Sequence, residues 1–132
     1  MSRLLLDTTF LIDAERSDAE LDLWIADDDD VAVAALTLAE LRVGALLSDG
    51  AMRARRVEFF EAVKALLPSV SYNEDVADAY ADLLAHVRRV GQPRGAHDLI
   101  IAATARASGR RLVTADLTAF VDLPGVEFQT HR

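Results

Sequence analysis

Residues Arg3–Asp13 read RLLLDTTFLID, and the fold turns on how they are interpreted. Leu4, Leu5 and Leu6 form a short unbroken apolar run, as expected of a buried strand. Asp7 comes directly after, with Thr8, Thr9 and further apolar residues behind it. Either Asp7 is a turn residue that ends the strand, with Thr8 or Thr9 capping the next element, or it belongs to a charged site. The stretch alone supports both readings.

Outward from it, strand and helix signals alternate. Ser17 and Glu20 form a capping-box pattern that predicts a helix with Leu21, Trp24 and Ile25 on its apolar face. Val31–Ala35 reads as a second strand, and Thr37 begins a helix to about Leu47 that Ser48, Asp49 and Gly50 break. Val57, Phe60, Val63 and Leu67 recur at helical spacing over Ala51–Leu67, and Pro68 stops that helix. Val70–Tyr72 is a candidate third strand. Asn73 caps a helix whose inner face is Val76, Tyr80, Leu83, Leu84, Val87 and Val90. A turn through Gly91 and Gly95 leads to a helix over Asp98–Ser108, closed by Gly109. Arg111–Thr114 and Val126–Gln129 supply two more strands. Strands separated by helices imply an α/β fold with a parallel sheet covered on both faces. Between Asn73 and Ala107 the alternation is less plain, so strand order cannot be derived from the pattern.

The chain has 132 residues, 52% of them apolar, which suits one compact domain. No apolar run approaches the roughly 20 residues that span a bilayer. Asp7 and Asp13 interrupt the only apolar stretch near the N-terminus, unlike a signal peptide. Cysteine is absent, which excludes disulfides and thiolate metal sites. These features point to a cytoplasmic protein without membrane association. The formal net charge of −8 argues against a generic nucleic-acid binder. Arginines nevertheless cluster at Arg53, Arg55 and Arg56, at Arg88, Arg89 and Arg94, and at Arg106, Arg110 and Arg111. Solvated helix faces and helix C-termini account for such clusters. The run Asp27–Asp30 lacks the alternating ligands and glycine of a calcium loop and reads as a solvated connection.

Four acids occupy more telling positions. Asp7 and Asp116 lie just past strand ends, where open parallel sheets form their functional crevice. Glu40 lies one turn into a helix, in LTLAELRVGA, and Asp98 opens another, in GAHDLIIAATA. Each also has a local reading. Thr37 and Glu40 match a capping box, Asp98 suits an N-cap, and Asp116 suits a turn. Together, in a parallel sheet, all four fall on one edge. Four converging carboxylates repel and raise one another's pKa values, and a divalent cation relieves this. Hard oxygen ligands select Mg²⁺ or Mn²⁺, which points to metal-assisted attack of water on a phosphodiester.

The stretches LLLDTTFLID, LTLAELRVGA, HDLIIAATARASGRRLVTAD and LTAFVDLPGV resemble, in order, the successive motifs of PIN-domain proteins. More closely, they resemble the VapC toxins of bacterial toxin–antitoxin modules. The resemblance covers nearly the whole chain and implies a single PIN domain over residues 1–132. It implies a three-layer α/β/α sandwich with a central, mainly parallel sheet of four or five strands. The activity it implies is endonucleolytic cleavage of RNA with Mg²⁺ or Mn²⁺. The family's acidic quartet maps onto Asp7, Glu40, Asp98 and Asp116, with Asp7 and Asp98 most directly tied to metal. Thr114 matches the small hydroxyl residue beside the fourth acid, and Thr8 the one after the first. The resemblance further implies a homodimer with helices of the first half packed together, inhibition by a cognate VapB-type antitoxin in a hetero-oligomer, and an autoregulated operon. DNA would be bound only through that antitoxin. Arg88, Arg89 and Arg94, near the Asp98 edge, are the candidate RNA contacts.

Other readings fit less well. A phosphatase of the haloacid dehalogenase type needs a second aspartate where Thr9 stands, and a receiver domain needs a late lysine, whereas the one lysine is Lys64. Two alternatives remain open. One is a non-catalytic PIN-like module that binds RNA or protein, against which the intact quartet speaks. The other is a PIN nuclease outside toxin–antitoxin modules.

Overall fold

The computed structural model describes residues 1–17 and 26–130. Within them, β1 (Arg3–Leu6), β2 (Asp30–Ala34), β3 (Ser69–Val70), β4 (Arg111–Thr114) and β5 (Phe128–Thr130) form one sheet in the order β3-β2-β1-β4-β5. Every pairing is parallel. The helices are α1 (Thr8–Ser17), α2 (Ala35–Leu46), α3 (Gly50–Leu66), α4 (Glu74–Val90) and α5 (Ala96–Ser108).

The period-two alternation of side chains sorts the apolar residues into two layers. Leu5, Ala32, Ala34 and Leu112 face α4 and α5, meeting Leu83, Val87, Leu99 and Ala102. Leu4, Leu6, Val33 and Val113 face the other way, onto Phe10 and Leu11 of α1, Leu41 of α2, and Phe60 and Val63 of α3. The result is the three-layer α/β/α sandwich that the family resemblance implies. The strands are buried on both faces, which is why they read as continuous apolar runs rather than alternating ones.

β1 is central, and the order reverses beside it: β2 and β3 lie to one side, β4 and β5 to the other. The switch point therefore falls between β1 and β4, where a crevice opens at the carboxyl ends. Asp7 and Asp116 lie just beyond those two ends. The backbone N–H of Asp7 still donates to Val113 O at 3.0 Å, fixing the acid to β4.

Several local expectations shift. The N-terminal stretch continues into α1 straight after Asp7, and Ser17 is the last described residue of that helix, its hydroxyl donating to Asp13 O at 2.8 Å. The remainder of the helix expected from Ser17 lies outside the described residues. α2 begins at Ala35, two residues before Thr37, and its N-cap has no side-chain hydrogen bond. Thr37 does not cap because it is fully buried against Thr8. Asn73 does cap α4, accepting from Val76 N at 3.0 Å. Gly91 and Gly109 end α4 and α5 in the left-handed conformation that glycine adopts without penalty. The acidic run is only partly solvated. Asp30 opens β2 and pairs with Arg110 at 3.0 Å and with Arg3 at 3.4 Å.

Candidate active site

Asp7 is the most buried of the four acids, at 2% exposure. It sits where β1 turns into α1 and caps that helix, its Oδ1 accepting from Phe10 N at 2.9 Å. The hydroxyl of Thr9 donates to both carboxylate oxygens, at 2.8 and 3.0 Å, and that of Thr114 to Oδ2 at 2.6 Å. Two of these donors come from the turn after β1 and one from the end of β4. Burial pushes the Asp7 carboxyl above the usual aspartate value, while these hydrogen bonds pull it down and the Asp98 charge adds to the rise.

Asp116 is exposed and accepts from the backbone N–H and hydroxyl of Thr118, at 3.0 and 2.8 Å, which shapes the turn after β4. Its own N–H donates to Thr114 Oγ1 at 2.9 Å. Thr114 thus links the two acids: it receives from the backbone of Asp116 and donates to the side chain of Asp7.

Glu40 is on α2 and points away from that helix's start. Its Oε1 accepts from the Thr8 hydroxyl at 2.6 Å, and its Oε2 lies 3.2 Å from His97 Nδ1. The capping-box reading of Thr37 and Glu40 therefore does not hold, because Glu40 directs its two oxygens to α1 and α5. Asp98 lies in the first turn of α5, beyond the N-cap Gly95. Burial raises its pKa first, and the charges of Asp116 and Glu40 raise it further, with His97 acting in the opposite direction. The electrostatics thus run from Asp98 to each of the other three acids.

Among the described residues, no three His, Asp or Glu side chains gather as a preformed metal cage. The donor set is nonetheless hard oxygen, with an excess of negative charge around Asp98. Mg²⁺ commonly takes only one or two protein carboxylates beside substrate phosphate oxygens, so these residues fit such an ion.

The family model for the PIN domain matches residues 4–125. The chain belongs to the PIN-domain family. Its relatives place it in the VapC branch. It is 28% identical over 128 residues to Ribonuclease VapC of Rickettsia bellii, covering 96% of this chain and 95% of that one. The structure of VapBC-5 from Mycobacterium tuberculosis, a member of the VapBC family of toxin–antitoxin systems, aligns with a TM-score of 0.81 and 31% identity, over 98% of this chain and 99% of that chain. DNA-bound VapBC from Salmonella typhimurium aligns over both whole chains with a TM-score of 0.87 and 26% identity.

Of the residues singled out from the sequence of this PIN domain, Thr114 meets Asp7, and Thr8 meets Glu40 rather than the acid it adjoins. Arg88 and Arg89 are exposed on the last turn of α4. Arg94 is already engaged, its Nη2 donating to Val121 O at 2.7 Å and its Nη1 to Gln92 O at 3.1 Å. Sequence reading missed Thr9 and His97. Thr9 sits two residues after the acid at the start of a helix, a hydroxyl spacing that marks a partner of a capping aspartate. His97 adjoins Asp98, but nothing local reveals its contact with Glu40, 57 residues away. Beside Glu40 lies a groove of about 230 Å³ lined by Ile12, Leu41, Gly44 and Phe59 together with Glu15, Arg16 and Arg56.

Proposed function

We propose that this PIN domain, taken as a single domain over residues 1–132, is a Mg²⁺- or Mn²⁺-dependent endoribonuclease and the toxin of a type II toxin–antitoxin system. The observation that carries the reading is the match to the PIN-domain family over residues 4–125, and the mutual influence of the acids supports it: the charges of Asp116 and Glu40 raise the Asp98 pKa, and that of Asp98 raises the Asp7 pKa. Such an arrangement suits a divalent cation and a phosphodiester far better than it suits a free anion.

In this mechanism Asp7 and Asp98 would hold the metal, with Glu40 and Asp116 completing the site. When bound, the ion supplies charge neutralisation at the phosphodiester and lowers the pKa of the attacking water. The chain's own part is positional. Phe10 N–H, Thr9 and Thr114 fix the Asp7 carboxylate from three directions. Thr8 and His97 hold Glu40 between α1 and α5. Asp116 is the exposed acid, on the side from which RNA would arrive. Arg88 and Arg89, exposed in the last turn of α4, would meet phosphates that a chain of net charge −8 otherwise repels.

The partner reading draws on the relatives, several of which are solved as VapBC complexes. A VapB-type antitoxin would lay an amphipathic segment into an apolar groove such as the one beside Glu40. A homodimer through the first-half helices fits the exposed Val43, Leu46, Leu47 and Met52 around the end of α2 and the start of α3. DNA contact belongs to the antitoxin. The cytoplasm is the compartment this reading implies. Among the described residues, no helix is long and apolar enough to cross a membrane.

The test is cleavage of total RNA by purified protein. Activity that needs Mg²⁺ or Mn²⁺ and disappears in Asp7→Asn and in Asp98→Ala supports the enzyme. Activity that survives both substitutions, or persists in chelator, sinks it and favours a binding module.

A further inference from the structure

At the end of the sheet opposite the acids, the amino ends of β1 and β4 open onto a cavity of about 390 Å³. Arg3, Arg106, Arg110 and Arg111 line it, against one acid, Glu127. In a chain with 14 basic and 22 acidic residues, that wall inverts the overall charge.

Arg110 is the fixed element. Its side chain is 9% exposed, and its Nη1 donates to Leu4 O at 3.2 Å, Asp30 O at 2.8 Å and Asp30 Oδ1 at 3.0 Å. Its Nε is buried without a hydrogen-bond partner among the described residues. Arg106 is held by Asp82 at 3.1 Å and lies against Gly125, where an added Cβ would come within 3.1 Å of Arg106 Nε. Gly125 has a φ of 71°, so both its conformation and its missing side chain leave the guanidinium its place. Arg3 and Arg111 are about half exposed and hold longer contacts, 3.4 Å to Asp30 and 3.5 Å to Glu127. Asp30 serves both Arg3 and Arg110, so four guanidiniums share three carboxylates: Asp30, Asp82 and Glu127.

We propose that this cavity is a binding site for an oligophosphate group, distinct from the acidic edge. Guanidinium forks match phosphate oxygens bidentately, and Arg3 and Arg111 can turn from their long contacts onto such a ligand while Arg106 and Arg110 stay fixed. Several cations on one wall favour a multiply charged chain over a single phosphate. Among the described lining residues none is aromatic, so the site offers no platform for stacking a base. The phosphate chain is what it recognises, carried either as inorganic pyrophosphate or on a nucleoside triphosphate.

The inference does not depend on ribonuclease activity. Calorimetric titration of the full chain in metal-free, low-salt buffer with pyrophosphate, GTP and AMP tests it. Pyrophosphate should bind one to one, more tightly than AMP, and weaken as salt rises. The paired substitution Arg3→Gln and Arg111→Gln should weaken it at least ~10-fold, the scale of losing charge-assisted hydrogen bonds. Arg111→Lys, which keeps charge but loses the fork, should give a smaller loss and serves if the paired variant fails to fold. Asp98→Asn should leave binding unchanged. GTP should bind comparably to pyrophosphate, and a strong preference for GTP, which would need base or ribose contacts, would overturn recognition of the phosphate chain alone. Absence of saturable pyrophosphate binding, or affinity untouched by both arginine variants, or loss through Arg88→Gln and Arg89→Gln instead, overturns the proposal.

Discussion

The hydroxyl of Thr114 donates a 2.6 Å hydrogen bond to Asp7 Oδ2 while accepting one of 2.9 Å from the N–H of Asp116. One buried side chain thereby joins the two strand ends that flank the switch point of the sheet. Removing it takes the shortest hydrogen bond from a buried carboxylate oxygen, leaving that oxygen only Thr9, and removes the acceptor of the Asp116 N–H. Thr114→Ala should therefore cost about 1–3 kcal/mol in stability. Under the proposed function it should also lower cleavage at least ~10-fold, the scale of a mispositioned carboxylate. Thr114→Ser keeps the hydroxyl and should recover most of both. Chemical denaturation and cleavage rates measured on the two variants check this, and an alanine variant matching the wild type in both would show that the hydroxyl does not position Asp7.

The acids predict an unusual pH dependence of stability. Asp7 and Asp98 both have folded pKa values raised above the ordinary 3.8, chiefly by burial. The folded protein then holds more protons than the unfolded chain between 3.8 and the raised values. Stability from these groups is present at low pH and declines as pH rises through the folded pKa values. Neutral Asp98→Asn should thus melt higher than the wild type at about pH 7 in metal-free buffer, with the gap closing toward about pH 4. A gap that grows on acidification would show that Asp98 is not destabilised as an anion.

Metal should reverse that order. If Asp7 and Asp98 hold Mg²⁺ or Mn²⁺, saturating metal stabilises the wild type through binding to the folded state, by about 2.7 kcal/mol at about 100 times Kd. Asp98→Asn should show little of this shift. Thermal melts with and without metal measure it, and equal shifts in both proteins would remove Asp98 from the metal site.

Glu40 contacts Thr8 through one oxygen and His97 through the other. Glu40→Ala removes both contacts and a charge at the acidic edge, whereas His97→Ala frees one oxygen and leaves the carboxylate. Under the proposed function, cleavage should fall on the order of 100-fold in the first and no more than ~10-fold in the second, since only the first removes a group assigned to catalysis. Equal losses would make His97 as important as the acid it touches.

Arg88 and Arg89 are exposed, while Arg94 ties its loop to Val121. Reversing Arg88 and Arg89 to Glu should raise KM and flatten the salt dependence of RNA binding, with the melting temperature unchanged. Arg94→Glu should in addition lower the melting temperature. Unchanged cleavage in the Arg88 and Arg89 reversal would remove them from the substrate path.

Much of this was legible along the chain. The leucines of β1, the cap at Asn73, the glycines after α4 and α5 and the placement of Asp7, Asp98 and Asp116 at or near element ends all depend on neighbours within a turn or two. Apolar runs, caps and left-handed glycines are local physics. The α1 helix was not legible, because Asp7 serves at once as strand end and helix cap, and a sequence pattern shows these as competing choices. Ser17 lies within α1 and bonds back to Asp13 O, a contact that its capping-box pattern with Glu20 does not show.

The order of residues was enough to establish that strands and helices alternate and that Asp7, Asp98 and Asp116 stand at or near their ends, whereas Glu40 lies in the middle of α2. Only three-dimensional packing set β1 between β2 and β4, gave Asp7 to Thr9 and Thr114 rather than Thr8, and brought four arginines together at the far edge. Thr114 and Asp7 are 107 residues apart, and Arg110 and Asp30 are 80 apart. Partnerships across such distances arise from burying both faces of the sheet, and no short window of residues contains that constraint.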